Sequence, residues 1–123
     1  MQAELPLIGL LKSPELIRDD ILRTFGDEEE TAVKFAVRWS WDNRRIRAMS
    51  QHAAAQTIGM PASHFSCVLN GQKYLPPHKL NAFEWVVGNH ALSQTINRFA
   101  AIREAEQARQ IGLLVAETLV KAA

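Results

Sequence analysis

Two eight-residue segments, Gln51–Ile58 and Ala62–Leu69, are separated by Gly59-Met60-Pro61, and this interruption constrains the fold more than any other feature. Glycine tolerates a left-handed backbone, so it can end one helix. Proline is accepted at the start of the next, where its missing N–H has no intrahelical acceptor. Ser50 stands where a hydroxyl caps the first segment. Two short helices that cross at such a turn need a small residue at the crossing, and Ala55 supplies it. They also need apolar side chains facing inward from both, and Ala54, Ile58, Met60, Phe65 and Val68 fall at those positions. Each position meets a separate geometric demand, and together they predict a helix-turn-helix.

The rest of the chain reads as helix too. Ser13-Pro14-Glu15 combines a capping hydroxyl, proline at the first helical position and an acid in the first turn. Leu16, Ile17, Ile21, Leu22 and Phe25 then recur at helical spacing, and Gly26 stops the run. Asp27 is the expected cap of a second helix, with Glu28, Glu29 and Glu30 complementing its dipole and a break near Trp41-Asp42-Asn43. Trp39, Trp41 and Trp85 sit in apolar surroundings of helical period and read as core or interface residues. Asn70-Gly71 ends the second helix of the pair, Pro76-Pro77 opens another running to about Val87, and Gly88-Asn89 ends that one. From about Ala91 the pattern is helical almost to the end, with Ile96, Phe99, Ile111, Leu114, Val115 and Leu119 as apolar positions. No strand alternation, repeat or low-complexity tract interrupts it. An all-α fold is expected in three parts: an acidic N-terminal helical segment at 1–26, the helix-turn-helix domain at 27–103 and a helical extension at 104–123 suited to dimerisation.

The net charge of +1 conceals a partition. Residues 1–30 hold three basic and eight acidic side chains, whereas residues 31–103 hold nine basic and two acidic. A basic centre suits a polyanion, and the cluster Arg44-Arg45-Ile46-Arg47 lies just before the helix pair. The single cysteine excludes an internal disulfide, Glu4 stands where a signal peptide would be basic, and no apolar run approaches membrane-spanning length. A cytoplasmic protein is expected.

The stretch Ser50–Gly71, "SQHAAAQTIGMPASHFSCVLNG", resembles the repressor/Cro family of helix-turn-helix proteins. "WDNRRIRAMSQ", "LPPHKLNAFEWVVGN" and "ALSQTINRFA" extend the resemblance to small phage and prophage transcriptional regulators. It covers roughly the middle half of the chain. The resemblance implies a repressor-like domain that binds operator DNA as a homodimer. By position it implies that Gln51 touches a phosphate, that Ala62, Ser63, His64 and Cys67 face the major groove, and that Asn70, Gln72 and Lys73 meet the backbone beyond the helix. Charge adds Arg44, Arg45 and Arg47 as phosphate contacts from outside the motif. The sequence departs from the family where base reading is concerned. A good bidentate pair discriminates by about 1–3 kcal/mol, and Ala, Ser, His and Cys form none. Shape readout, phosphate contacts and half-site spacing are therefore expected to supply much of the specificity.

Other chemistries find little footing. His64 and Cys67 share a helical face, but the second ligand pair of a zinc site is missing. The chain has no phosphate-binding glycine loop, no paired catalytic carboxylates and no Ser-His-Asp signature, so neither an enzyme nor a metal or cofactor is expected. Two further readings remain open. One is a module with the same fold that binds a host or phage protein, with the acidic N-terminus engaged. The other is an antitoxin whose terminal segments hold a toxin.

Overall fold

The computed structural model describes residues 12–122. It is all-α. The helices are α1 (Asp19–Arg23), α2 (Glu29–Asp42), α3 (Gln51–Ile58), α4 (Ala62–Leu69), α5 (Leu80–Val87) and α6 (Ala91–Ala122), with a 3-10 turn at Pro77–Lys79 before α5. No strand occurs among the described residues, only an isolated parallel bridge between Glu15 and Asn89.

Local chemistry sets most of the boundaries. The Ser50 hydroxyl accepts the Ala53 amide at 3.1 Å, which satisfies one of the unpaired donors at the start of α3. Gly59 ends α3 at φ +86° and Gly88 ends α5 at φ +87°, conformations that a side chain would strain. The start of α6 is capped from outside the helix. Glu84, buried in α5, accepts the Ser93 amide at 2.8 Å with one carboxylate oxygen and meets His90 Nδ1 at 2.8 Å with the other. Asn89 accepts the Ala91 amide at 3.0 Å and the Ser40 hydroxyl at 3.1 Å, tying this cap to α2.

Phe65 and Phe83 lie at the centre of the core, both fully buried. Trp41 meets Phe65 edge-on, with centroids 5.5 Å apart, and Phe65 lies 6.3 Å from Phe83. Ala32, Ala36, Ala54 and Ala55 are buried beside them, and their small side chains let α2, α3 and their neighbours approach closely. Of the other tryptophans, Trp39 is partly buried against Phe25, whereas Trp85 is partly exposed beneath the Arg45 guanidinium.

Two expectations are corrected. Ser13-Pro14-Glu15 does not start a helix, and the chain reaches helix only at Asp19. The Glu15 amide donates to the Gly88 carbonyl at 3.0 Å, and the His90 amide donates to the Glu15 carbonyl at 2.9 Å. Gln94 bonds both backbone groups of Ile17, at 2.9 and 3.0 Å. Backbone groups already paired across the fold cannot also form a helical turn, so tertiary partners override the local signal. Asp27 is not a cap: α2 begins at Glu29, and the Asp27 carboxylate pairs with Arg98 at 3.2 Å instead. The apolar positions of the last helix also divide. Phe99 is buried and Ile96 packs on the core, whereas Ile111, Leu114, Val115 and Leu119 are exposed. Every residue from 101 to 122 is exposed, so α6 leaves the body after about its tenth residue. The run Leu5–Leu11 lies outside the described residues.

Candidate nucleic-acid interface

The helix pair α3–α4 presents the surface that the sequence singles out. α4 buries Phe65, Val68 and Leu69, a row at helical spacing that turns the opposite side outward. Ser63 is exposed there, and Ala62, His64, Ser66 and Cys67 are partly exposed. Ser63, Ser66 and Cys67 form the row most nearly opposite Phe65 and Val68. Ser66 is a residue that the sequence reading missed, although its position three residues after Ser63 is the signal that finds it. His64 lies at the edge of this face.

Gln51 is exposed in the first turn of α3. Asn70, Gln72 and Lys73 are exposed just beyond α4. The chain folds back there, with the amides of Gln72 and Lys73 both directed at the Cys67 carbonyl at 2.9 and 3.3 Å. Gly71, at φ +77°, makes this reversal, whereas Asn70 stays at φ −87°. These residues therefore gather at one end of α4.

The three arginines expected to join them are differently placed. Asn43–Met49 is an irregular connection whose carbonyls need donors, and Arg44 supplies them. Its guanidinium donates to Trp41 O at 3.0 Å, Arg47 O at 2.8 Å and Met49 O at 3.1 Å, and stacks 4.1 Å from the Trp41 ring. Arg45 turns the other way. It donates to the Lys12 carbonyl and lies against Gly88, where a Cβ would meet its Cβ and Cδ at 3.0 Å. Burial lowers its pKa, partly offset by the Glu15 carboxylate. Both side chains thus hold loops in place, and their guanidinium groups are committed in part to backbone carbonyls. Arg47 donates to the Asp42 carbonyl and remains exposed.

Other cations take part in ion pairs. Lys34 pairs with Glu30 at 3.1 Å, Arg38 with Asp42 at 3.3 Å, and Arg103 with Glu29. The Lys34 ammonium, with the Tyr74 hydroxyl beside it, holds the Glu30 carboxyl below its ordinary pKa. The acidic start of α2 therefore compensates much of the basic excess. One lysine comes forward unexpectedly. A Cβ placed on Gly59 would lie 3.1 Å from Lys79 Nζ, so this ammonium stands over the turn between α3 and α4. No linear motif marks it, because the chain must go round the following loop to bring it there.

The surface is notable for what it excludes. No aspartate or glutamate occurs from Asn43 to Phe83, and the next carboxylate, Glu84, is buried. The pair, its turn and the following loop therefore expose only neutral and basic side chains, with Lys73, Lys79 and Arg47 as the cations. No three histidine, cysteine or acidic side chains come together as metal ligands among the described residues. Nor is any described helix long and apolar enough to cross a membrane. Comparison with protein-family models, with curated proteins and with solved structures gives no match for this chain.

Proposed function

We propose that the chain is a sequence-specific, DNA-binding transcriptional regulator of phage or prophage type, working in the cytoplasm and placing α4 in the major groove. One arrangement supports this reading. α3 and α4 meet at the left-handed Gly59, and the outward row of α4 lies within a stretch, Asn43 to Phe83, that contributes no carboxylate. In this reading Ser63, Ser66 and Cys67 face base edges, with Ala62 and His64 beside them. Gln51, Asn70, Gln72, Lys73 and Lys79 contact the phosphate backbone. None of the groove-facing side chains makes a bidentate pair with a base, so one helix reads little. Two copies on half-sites about 34 Å apart multiply that modest preference.

Titration of the chain into labelled duplex DNA tests the proposal. Affinity should fall steeply as salt rises, because each neutralised phosphate releases counterions. Selection of bound fragments from random DNA should return a two-fold symmetric site. Absence of salt-sensitive duplex binding overturns the reading. A second reading, a protein-binding module that keeps the helix pair without base recognition, draws support from Arg44 and Arg45, whose guanidinium groups serve the fold.

A further inference from the structure

The loop that follows α4 forms one wall of a cavity of about 240 Å³ that reaches into the core. α2, α4 and α6 supply its floor through Val37, Val68 and Leu92, each no more than 4% exposed. Its polar lining side chains are Lys34, Lys73 and Tyr74, and all three reach solvent, so they mark its mouth. Every other lining side chain is aliphatic or proline. Protein interiors leave few voids larger than a water molecule, so a space of this size is no ordinary packing defect. An apolar cavity of about 150 Å³ already stays dry and takes up benzene. This one is larger and equally apolar at its floor, so an apolar occupant is favoured over water.

We propose that this cavity binds a medium-chain aliphatic carboxylate, with its tail on Val37, Val68 and Leu92 and its head on the Lys73 ammonium. Volume sets the tail. At about 30 Å³ per heavy atom, the share of one water molecule in the liquid, the cavity holds roughly eight. The aliphatic floor offers a tail no hydrogen bond, so nothing there selects a polar chain. Charge sets the head. Two acids lie near the mouth, and both are matched: Glu30 pairs with Lys34 at 3.1 Å, and Glu29 pairs with Arg103. Lys73 is exposed and forms no ion pair among the described residues. A carboxylate at the mouth therefore gains a cation that the protein itself leaves over, half shielded from water by the cavity wall.

The site touches α4 from behind. Val68 belongs to the inward row of α4, and Lys73 lies in the loop whose amides at Gln72 and Lys73 are directed at the Cys67 carbonyl. In the DNA-binding reading, on which this part of the proposal rests, the Lys73 ammonium meets a phosphate. One ammonium cannot neutralise a phosphate and a carboxylate together, so ligand and duplex oppose each other. Linkage makes the opposition mutual: each weakens the other by the same factor. The carboxylate is then an effector that loosens the regulator from DNA.

Titration of octanoate into the full chain, without DNA, tests the site. Binding should saturate with a Kd below about a millimolar, and the methyl resonances of Val37, Val68, Leu92 and Ile96 should shift. Octan-1-ol has the same tail and no charge, and should bind about fivefold more weakly. Butyrate has the same head and half the chain, and should not bind detectably. Lys73→Ala should lower octanoate to the affinity of octan-1-ol and leave octan-1-ol unchanged. Val33→Phe, at a partly buried lining position, should fill the cavity and abolish binding while the unfolding temperature holds. Absence of saturable binding below the concentration at which octanoate self-associates overturns the site. So do shifts confined to the exposed α6 rod at residues 101–122. Equal affinity for octanoate and octan-1-ol overturns the carboxylate and makes a neutral apolar group the occupant. The coupling is read separately: saturating octanoate should weaken duplex binding about threefold, the loss of one phosphate contact. Octanoate that fills the cavity without changing duplex affinity overturns the coupling alone. A chain that binds octanoate and no duplex overturns the DNA reading and the coupling with it, and the site stands.

Discussion

The outward side of α3–α4 and the projecting end of α6 are both left uncovered by the body, and their chemistries are opposite. The first is polar to weakly basic and carries no exposed carboxylate from Asn43 to Phe83. The second is apolar, with its charges balanced and mostly paired along the helix. Uncompensated cations favour a polyanion, and that attraction weakens with salt. Exposed aliphatic side chains favour apolar contact, and that attraction is largely indifferent to salt. The two surfaces should therefore respond separately to mutation and to solvent.

Removing what the surfaces share gives the largest effect. Phe65→Ala empties a fully buried site between Trp41 and Phe83 and should destabilise the body by about 3–5 kcal/mol in denaturant unfolding. DNA binding should be lost with it, while the isolated contacts of the α6 rod are untouched. Gly88→Ala should cost about 2 kcal/mol by the same measurement, because φ is +87° and a Cβ would collide with Arg45. A neutral result there would show that Arg45 yields easily and does not anchor the loop.

The next changes separate the two surfaces. Lys73→Ala combined with Lys79→Ala should lower duplex affinity on the order of tenfold and reduce the salt slope by about two units. Dimer mass should not move. An unchanged slope would place the DNA-binding surface elsewhere. The smallest effect is expected from Ser50→Ala, which removes the hydroxyl that accepts the Ala53 amide and should cost about 1 kcal/mol. Its influence on DNA should follow from loosening of α3 alone, seen as faster amide exchange in that helix.

How legible each region was in the sequence follows from the range of the forces involved. The limits of α3 and α4 were readable because the Ser50 hydroxyl bond, the left-handed Gly59 and the Pro61 start are settled within a few residues of chain. The inward set Ala54, Ala55, Ile58, Phe65 and Val68 was readable because helical period fixes which side chains share a face. The structural part played by Arg44 was hidden for a related reason. Composition counts charge, but it does not count the carbonyls of an irregular loop, and those carbonyls take up Arg44. Lys79 was overlooked because its place over Gly59 depends on how the loop after α4 closes.

By itself, then, the sequence determined the helices from Glu29 onward, the turn at Gly59 and the polar character of the α4 face. Capping bonds, backbone preference and periodicity act locally and survive in any context. Only the tertiary structure decided that Ser13–Arg18 runs extended against Gly88–His90 and Gln94, that Glu84 caps the following helix, and that α6 sheds the body after its first turns. Each of these depends on partners far away in the chain, and a hydrogen bond or contact across the fold exists only once the fold has brought its two ends together.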